Sequence, residues 1–124
     1  FIGDPEDRFK TVYSVVRRAQ QAALDVLRPG AVARDVDRVA RKVIEDAGDG
    51  DYFGHGLGHG VGLAVHEAPR LNQHDATVLE EGMVVTVEPG IYLPGKGGVR
   101  LEETVVVEEQ GPRILTCCDR FYDW

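Results

Sequence analysis

The chain has 124 residues, 43% hydrophobic and 28% charged, which suits one globular domain with a modest core. Its formal charge of -7 excludes a general binder of the nucleic-acid backbone, which needs a basic face. No apolar run is long enough to cross a bilayer and no signal segment opens the chain, so no membrane partner is expected. The only cysteines, Cys117 and Cys118, are adjacent. Neighbours bridge only with strain, so they read as ordinary thiols of a cytoplasmic protein, with no assignable role.

Taken in order, Asp4-Pro5-Glu6-Asp7 starts a helix: Asp4 can cap it and Pro5 suits its first position. Phe9, Val12, Val16, Ala19, Ala23 and Val26 recur at helical spacing, with Arg17, Arg18, Gln20 and Gln21 mostly elsewhere around the helix. Pro29-Gly30 should end it at Arg28. Val36, Val39, Ala40, Val43, Ile44 and Ala47 predict a second amphipathic helix from about Ala33 to Ala47. No Ser, Thr, Asp or Asn caps its start, so that end is expected to fray.

After Gly48 the helical period disappears. Val84 to Val87 is a short β-branched run ending in Glu88-Pro89-Gly90. Val99 to Val107 is a second such run, Ile91-Tyr92 a short strand between them, and Pro94 to Gly98 a loop. Two helices followed by antiparallel strands give an α+β fold, with the helices on one face of the sheet.

The chemistry concentrates between Phe53 and Arg70. His55, His59 and His66 lie there, and glycine fills positions 54, 56, 58, 60 and 62. Glycine weakens regular elements and is expected where a ligand approaches the backbone closely. In an extended segment His55 and His59 point the same way. Val84, Thr86 and Glu88 share one strand face, as do Arg100, Glu102 and Thr104 on the later strand, so antiparallel pairing brings Glu88 and Glu102 together. Two close carboxylates stay ionised near cations, and a metal helped by Arg100 would supply that charge. Carboxylate and imidazole together suit zinc, manganese, iron or cobalt. The plainer reading of each residue stays open: a loop histidine bonded to backbone, a solvated glutamate, a surface charge pair of little worth. His74 and Glu67 read as structural or solvated. A dinucleotide fingerprint is excluded, because the third glycine position is always His, Val or Leu. A phosphate-binding loop at Gly90 to Lys96 fails at Gly97, and His66-Glu67 lacks the second histidine of the helical zinc-protease motif.

Three ordered blocks carry a resemblance. They are Gly-His-Gly-Leu-Gly-His-Gly-Val-Gly-Leu-Ala-Val-His-Glu-Ala-Pro from Gly54, Glu-Gly-Met-Val-Val-Thr-Val-Glu-Pro-Gly from Glu81, and Gly-Val-Arg-Leu-Glu-Glu-Thr from Gly98. Together they resemble the pita-bread metallopeptidases, and among them the Xaa-Pro group of aminopeptidase P and prolidase. The resemblance implies the C-terminal half of that fold, with two helices on a curved, mainly antiparallel sheet. It implies hydrolysis of the peptide bond before proline by metal-activated water, with a proline-containing peptide as substrate. It implies two divalent metal ions in the full-length parent: manganese, cobalt or zinc. His59, Glu88 and Glu102 match metal ligands, Glu88 also handling a proton. His55 and His66 match histidines that line the substrate pocket, and Arg100 an arginine beside the metal pair. Two further aspartate ligands of that family precede the first helix. Asp4, Asp7, Asp35 and Asp37 sit in helix starts and are poor substitutes. Residues 1–124 are therefore expected to be a truncated C-terminal part of a catalytic domain, inactive alone, holding at most one metal weakly. Such a half exposes apolar surface and is expected to self-associate as a homo-oligomer. A metal-free hydrolase of the creatinase type and a non-catalytic binding module are the alternatives on the same fold.

Overall fold

The computed structural model describes residues 4–116. Cys117, Cys118 and the aromatic, charged end through Trp124 lie outside the described residues. Two helices form as their apolar spacing predicts. Helix α1 (Asp7–Val26) buries Val12, Val15, Val16, Ala19, Ala23 and Leu24, and α2 (Ala33–Asp46) buries Ala33, Val36, Ala40 and Ile44. They pack against each other and α1 lies on the strands, so the expected α+β arrangement is the one observed.

The helix ends differ from expectation. Glu6, not Asp4, occupies the position before α1, and no side chain caps it; its carbonyl accepts from the amide of Phe9 at 2.8 Å. The helix closes at Val26, two residues short of Arg28. Leu27 is buried and its backbone is extended, with ψ at 105°, so the chain has left helical geometry before Pro29. The start of α2 is not left to fray. The amides of Ala33 and Arg34 donate to the carbonyls of Thr77 and Asp75, each at 2.9 Å. A distant loop thus satisfies donors that a local cap would otherwise serve. Among the described residues, no helix is long and apolar enough to cross a membrane.

Among the described residues, the strands β1 (Gly58–Gly60), β2 (Glu67–Leu71), β3 (Val84–Val87), β6 (Glu103–Val106) and β7 (Arg113–Ile114) form one antiparallel sheet. Their order across it is β2-β1-β3-β6-β7. Between β3 and β6 the chain makes a separate hairpin of β4 (Gly90–Leu93) and β5 (Gly97–Arg100). The single run predicted from Val99 to Val107 is therefore two strands. The break falls at Leu101-Glu102, opposite Glu88-Pro89, and proline has no amide to give to a ladder. Pairing is in step on both sides of the break: Thr86 faces Thr104 and Gly90 faces Arg100. Glu88 and Glu102 accordingly fall opposite one another in the unpaired gap.

Strand β1 corrects the reading of its glycines. A Cβ at Gly58 would lie 1.9 Å from the carbonyl oxygen of Thr86, and one at Gly60 would lie 2.2 Å from that of Ala68. At these two positions glycine is required by the close approach of neighbouring strands, not by a ligand. The core between sheet and helices is formed by Leu57, Leu71, Val85, Val87 and Val105 with Val12, Val16 and Ile44, all fully buried.

Candidate metal and peptide site

The site lies where β1, the segment before it, the end of β3 and the end of β5 converge. His55, His59, His66, Glu88 and Arg100 border one cavity of about 300 Å³. Glu102 does not reach it. It lines a neighbouring hollow, beside Leu63 and Val65, that shares His59, His66, Glu88 and Arg100. The two spaces meet along the line from His59 through Glu88 to Arg100.

His59 and Glu88 form its centre. Nδ1 of His59 lies 3.0 Å from the carbonyl oxygen of Gly60. A carbonyl only accepts, so Nδ1 carries a hydrogen and Nε2 faces outward. Nε2 lies 3.1 Å from Oε1 of Glu88. Two acceptors at that distance need a cation between them: a proton on the ring or a metal ion. Metal-bound histidines commonly donate their other ring hydrogen to a backbone carbonyl, as here. Glu88 is itself held. Its amide donates to the carbonyl of Leu57 at 2.7 Å, and Oε1 accepts from the Thr86 hydroxyl at 3.0 Å. The same hydroxyl oxygen accepts from the amide of His59 at 3.1 Å, so Thr86 ties the two residues to one frame. Both side chains are largely shielded, at 13% and 16% exposure.

Arg100 bridges the carboxylates. Its Nε lies 3.8 Å from Oε2 of Glu88 and 3.6 Å from Oε2 of Glu102. These are long, half-exposed contacts, which screen charge more than they stabilise the fold. Hydrogen bonding to Tyr92 raises the guanidinium pKa above its ordinary value; slight burial opposes this, and Glu102 and then Glu88 add to it. Arg100 is a fixed positive charge at any working pH.

The histidines separate into two environments. His55 donates through Nδ1 to the carbonyl of Gly56 at 2.7 Å, leaving Nε2 to accept from the Tyr92 hydroxyl at 3.1 Å. Its ring stands edge-on to Phe53 at 5.1 Å. His66 is exposed, with its ring centroid 4.2 Å from that of His59. Glu67 folds back to accept from the amide of Ala64 at 3.0 Å, a structural role. His74 is exposed, on a turn where Asn72 accepts its amide.

The donor set fits one divalent ion. An imidazole with its second nitrogen fixed, facing a carboxylate, is suitable chemistry for manganese, cobalt or zinc. Among the described residues, however, no group of three or more His, Cys, Asp or Glu is gathered closely enough to hold a metal ion by itself. Glu102 reaches the pair through Arg100. Three of the helix-start aspartates are engaged elsewhere: Asp7 with Lys10, Asp35 with Arg38, and Asp37 with Arg41; Asp4 is exposed ahead of α1.

Three contributors escaped the sequence reading. Tyr92 touches both His55 and Arg100, and Thr86 couples His59 to Glu88. Gln20, placed by its spacing mostly away from the core, is 3% exposed, and its Nε2 donates to the carbonyl of Val87 beside Glu88. Its place four residues after Val16 and four before Leu24 was the available signal.

Comparison with known proteins agrees with this geometry. The chain is 50% identical over 119 residues to an Xaa-Pro dipeptidase of Pyrococcus furiosus, covering 96% of this chain and 34% of that protein. It is 51% identical over 114 residues to an Xaa-Pro dipeptidase of Lactobacillus delbrueckii subsp. lactis, covering 92% and 31%. The crystal structure of an X-Pro aminopeptidase from Thermotoga maritima superposes with a TM-score of 0.93 at 50% identity, over 96% of this chain and 34% of that one. The chain thus spans about a third of the length of the curated relatives it matches. The sequence profile of metallopeptidase family M24 covers residues 1–109, and the chain belongs to that family.

Proposed function

We propose that residues 1–124 form the C-terminal part of a longer catalytic domain that hydrolyses the peptide bond preceding proline. The observation that carries this is the His59–Glu88 pair, an imidazole nitrogen held 3.1 Å from a carboxylate oxygen beside Glu102 and Arg100. Its support in the comparisons is that the relatives sharing about half of this sequence are named for Xaa-Pro cleavage.

His59 Nε2, Glu88 and Glu102 would hold the metal ions, of which manganese, cobalt and zinc suit the donors. When bound, the ions supply Lewis acidity and lower the pKa of water toward neutrality. The chain's own groups supply the rest. Glu88, held in place through Oε1 by the Thr86 hydroxyl, would take the proton of the attacking water. His55 and His66 flank the cavity and would face the oxygen of the scissile carbonyl as charge develops there; His55 would donate to it only with a hydrogen on Nε2, in place of the bond that nitrogen accepts from Tyr92. Arg100 sets a positive charge beside both of the two opposed carboxylates. The pair of remaining acidic ligands implied by the resemblance has no counterpart at the site among the described residues. The 124-residue chain is therefore expected to be inactive alone, and its complete form to bind a peptide.

The test is release of proline from an X-Pro dipeptide and of the first residue from a longer X-Pro peptide, each with added manganese. The complete protein cleaves at least one, and substitution of His59 abolishes it. Cleavage by the 124-residue chain alone would refute the shared-site reading. Absence of metal-dependent cleavage by the complete protein would favour the metal-free alternative. The bridging position of Arg100, a cation already between both carboxylates, is the observation on that side.

A further inference from the structure

We propose that Asp37 and Arg41 are positioning residues that set the orientation of His55 from beneath, without touching the cavity that Glu88 borders. This rests on the reading of His55 as a substrate-facing group.

Asp37 sits on the apolar stripe of α2 and is fully buried. It pairs with Arg41 one turn on, in a two-pronged contact: Nε to Oδ2 at 2.9 Å and Nη2 to Oδ1 at 3.0 Å. Such a pair costs desolvation that its attraction repays only if the remaining hydrogen-bonding positions are used. Here three of them are spent on one stretch of backbone. Arg41 Nη1 donates to the carbonyl of Phe53 and Nη2 to that of His55, each at 2.9 Å. Oδ1 of Asp37 accepts from the amide of Leu57 at 3.0 Å. The guanidinium also lies 4.3 Å over the Phe53 ring, the ring against which His55 stands edge-on.

That stretch is not fixed by regular structure: among the described residues no strand begins before Gly58. Beyond the clamp it is held by the burial of Phe53 and Leu57 and by the bonds of His55 to Gly56 and Tyr92, while a Cβ at Gly54 would meet nothing within 4 Å. The planar fork of an arginine is what can grip two carbonyls and a carboxylate at once; a lysine offers one point. The clamp also ends beside the other half of the site. Leu57, whose amide Asp37 holds, gives its carbonyl to the amide of Glu88. A buried ion pair of no direct chemistry thus fixes the position of His55 relative to Glu88.

The imidazole nitrogens of the 124-residue chain, read by long-range proton–nitrogen correlation NMR, test this without metal, substrate or turnover. In the unaltered chain both His55 and His59 should carry hydrogen on Nδ1. In Arg41→Lys, which keeps the charge, His55 should broaden or shift to a mixture of ring forms, while His59, fixed by Gly60 and Glu88, stays unchanged. Arg41→Met should move His55 in the same way; if it fails to fold, Arg41→Lys carries the test. A folded Arg41→Lys with an unaltered His55 would overturn the proposal, as would equal disturbance of His55 and His59, the mark of general loosening. Failure of the peptidase reading would appear in the cleavage assay and leave these signals as they are.

Discussion

Replacing Gly58 by alanine isolates what the glycines of β1 do. The added methyl group would lie 1.9 Å from the carbonyl oxygen of Thr86, 2.7 Å from its carbon and 3.0 Å from its hydroxyl oxygen. Ordinary contact begins near 3.4 Å, so β1 and β3 must part by more than an ångström. The obstacle is backbone in the middle of a five-stranded sheet, with no flexible side chain to swing away. Overpacking of this kind costs about 1–3 kcal/mol and occasionally more. Against a total stability of roughly 5–15 kcal/mol, that is a visible loss. Gly54→Ala is the control: its methyl group meets nothing within 4 Å and its φ is not positive, so its effect should stay within about 0.5 kcal/mol. Urea unfolding followed by circular dichroism reads both. If Gly58→Ala unfolds at the same urea concentration as Gly54→Ala, the packing explanation is wrong and the glycine run must be accounted for by a ligand.

Three further outcomes follow from the same structure. Hydrogen bonds to Thr77 and to the backbone amides of Arg70 and Thr77 lower the Asp75 pKa, so its charged form favours the fold. That contribution is complete above about pH 4 and disappears as pH falls through the lowered folded value. Asp75→Asn should therefore lose urea resistance at pH 7 and match the unaltered chain at a pH low enough to protonate Asp75 in both states; an equal deficit at both pH values would contradict this. Leu63 and Val65 are fully and three-quarters exposed beside the site, and sedimentation at high concentration should show association that weakens in Leu63→Ser. A clean monomer would count against it. Without the remaining acidic ligands, the 124-residue chain should show no metal-stimulated cleavage of an X-Pro dipeptide.

The helices were legible because their apolar residues recur at helical spacing and nothing in the tertiary structure overrides it. Gln20 and Asp37 were not, because a polar side chain on an apolar stripe reads as solvated unless its distant partner is known. Those partners, the carbonyl of Val87 for Gln20 and the amide of Leu57 for Asp37, lie far away in sequence. Strand β1 was hidden by its glycines, which individually disfavour strand and are present because Thr86 and Ala68 come so close. Alternation along the two β-branched runs was enough to set Glu88 opposite Glu102. It could not show that pairing lapses there, or that Arg100 stands between them. The plainer expectation for His55 and His59, a ring bonded to neighbouring backbone, also describes the structure. In His59 that bond is what aims the other nitrogen at Glu88.

The central claim is that His59, Glu88 and Glu102 belong to one metal site. Titration calorimetry of the 124-residue chain with manganese(II), against His59→Ala under the same conditions, tests it most directly. A weak, saturable heat in the unaltered chain that disappears in His59→Ala is the predicted result. Indistinguishable isotherms for the two chains would contradict it.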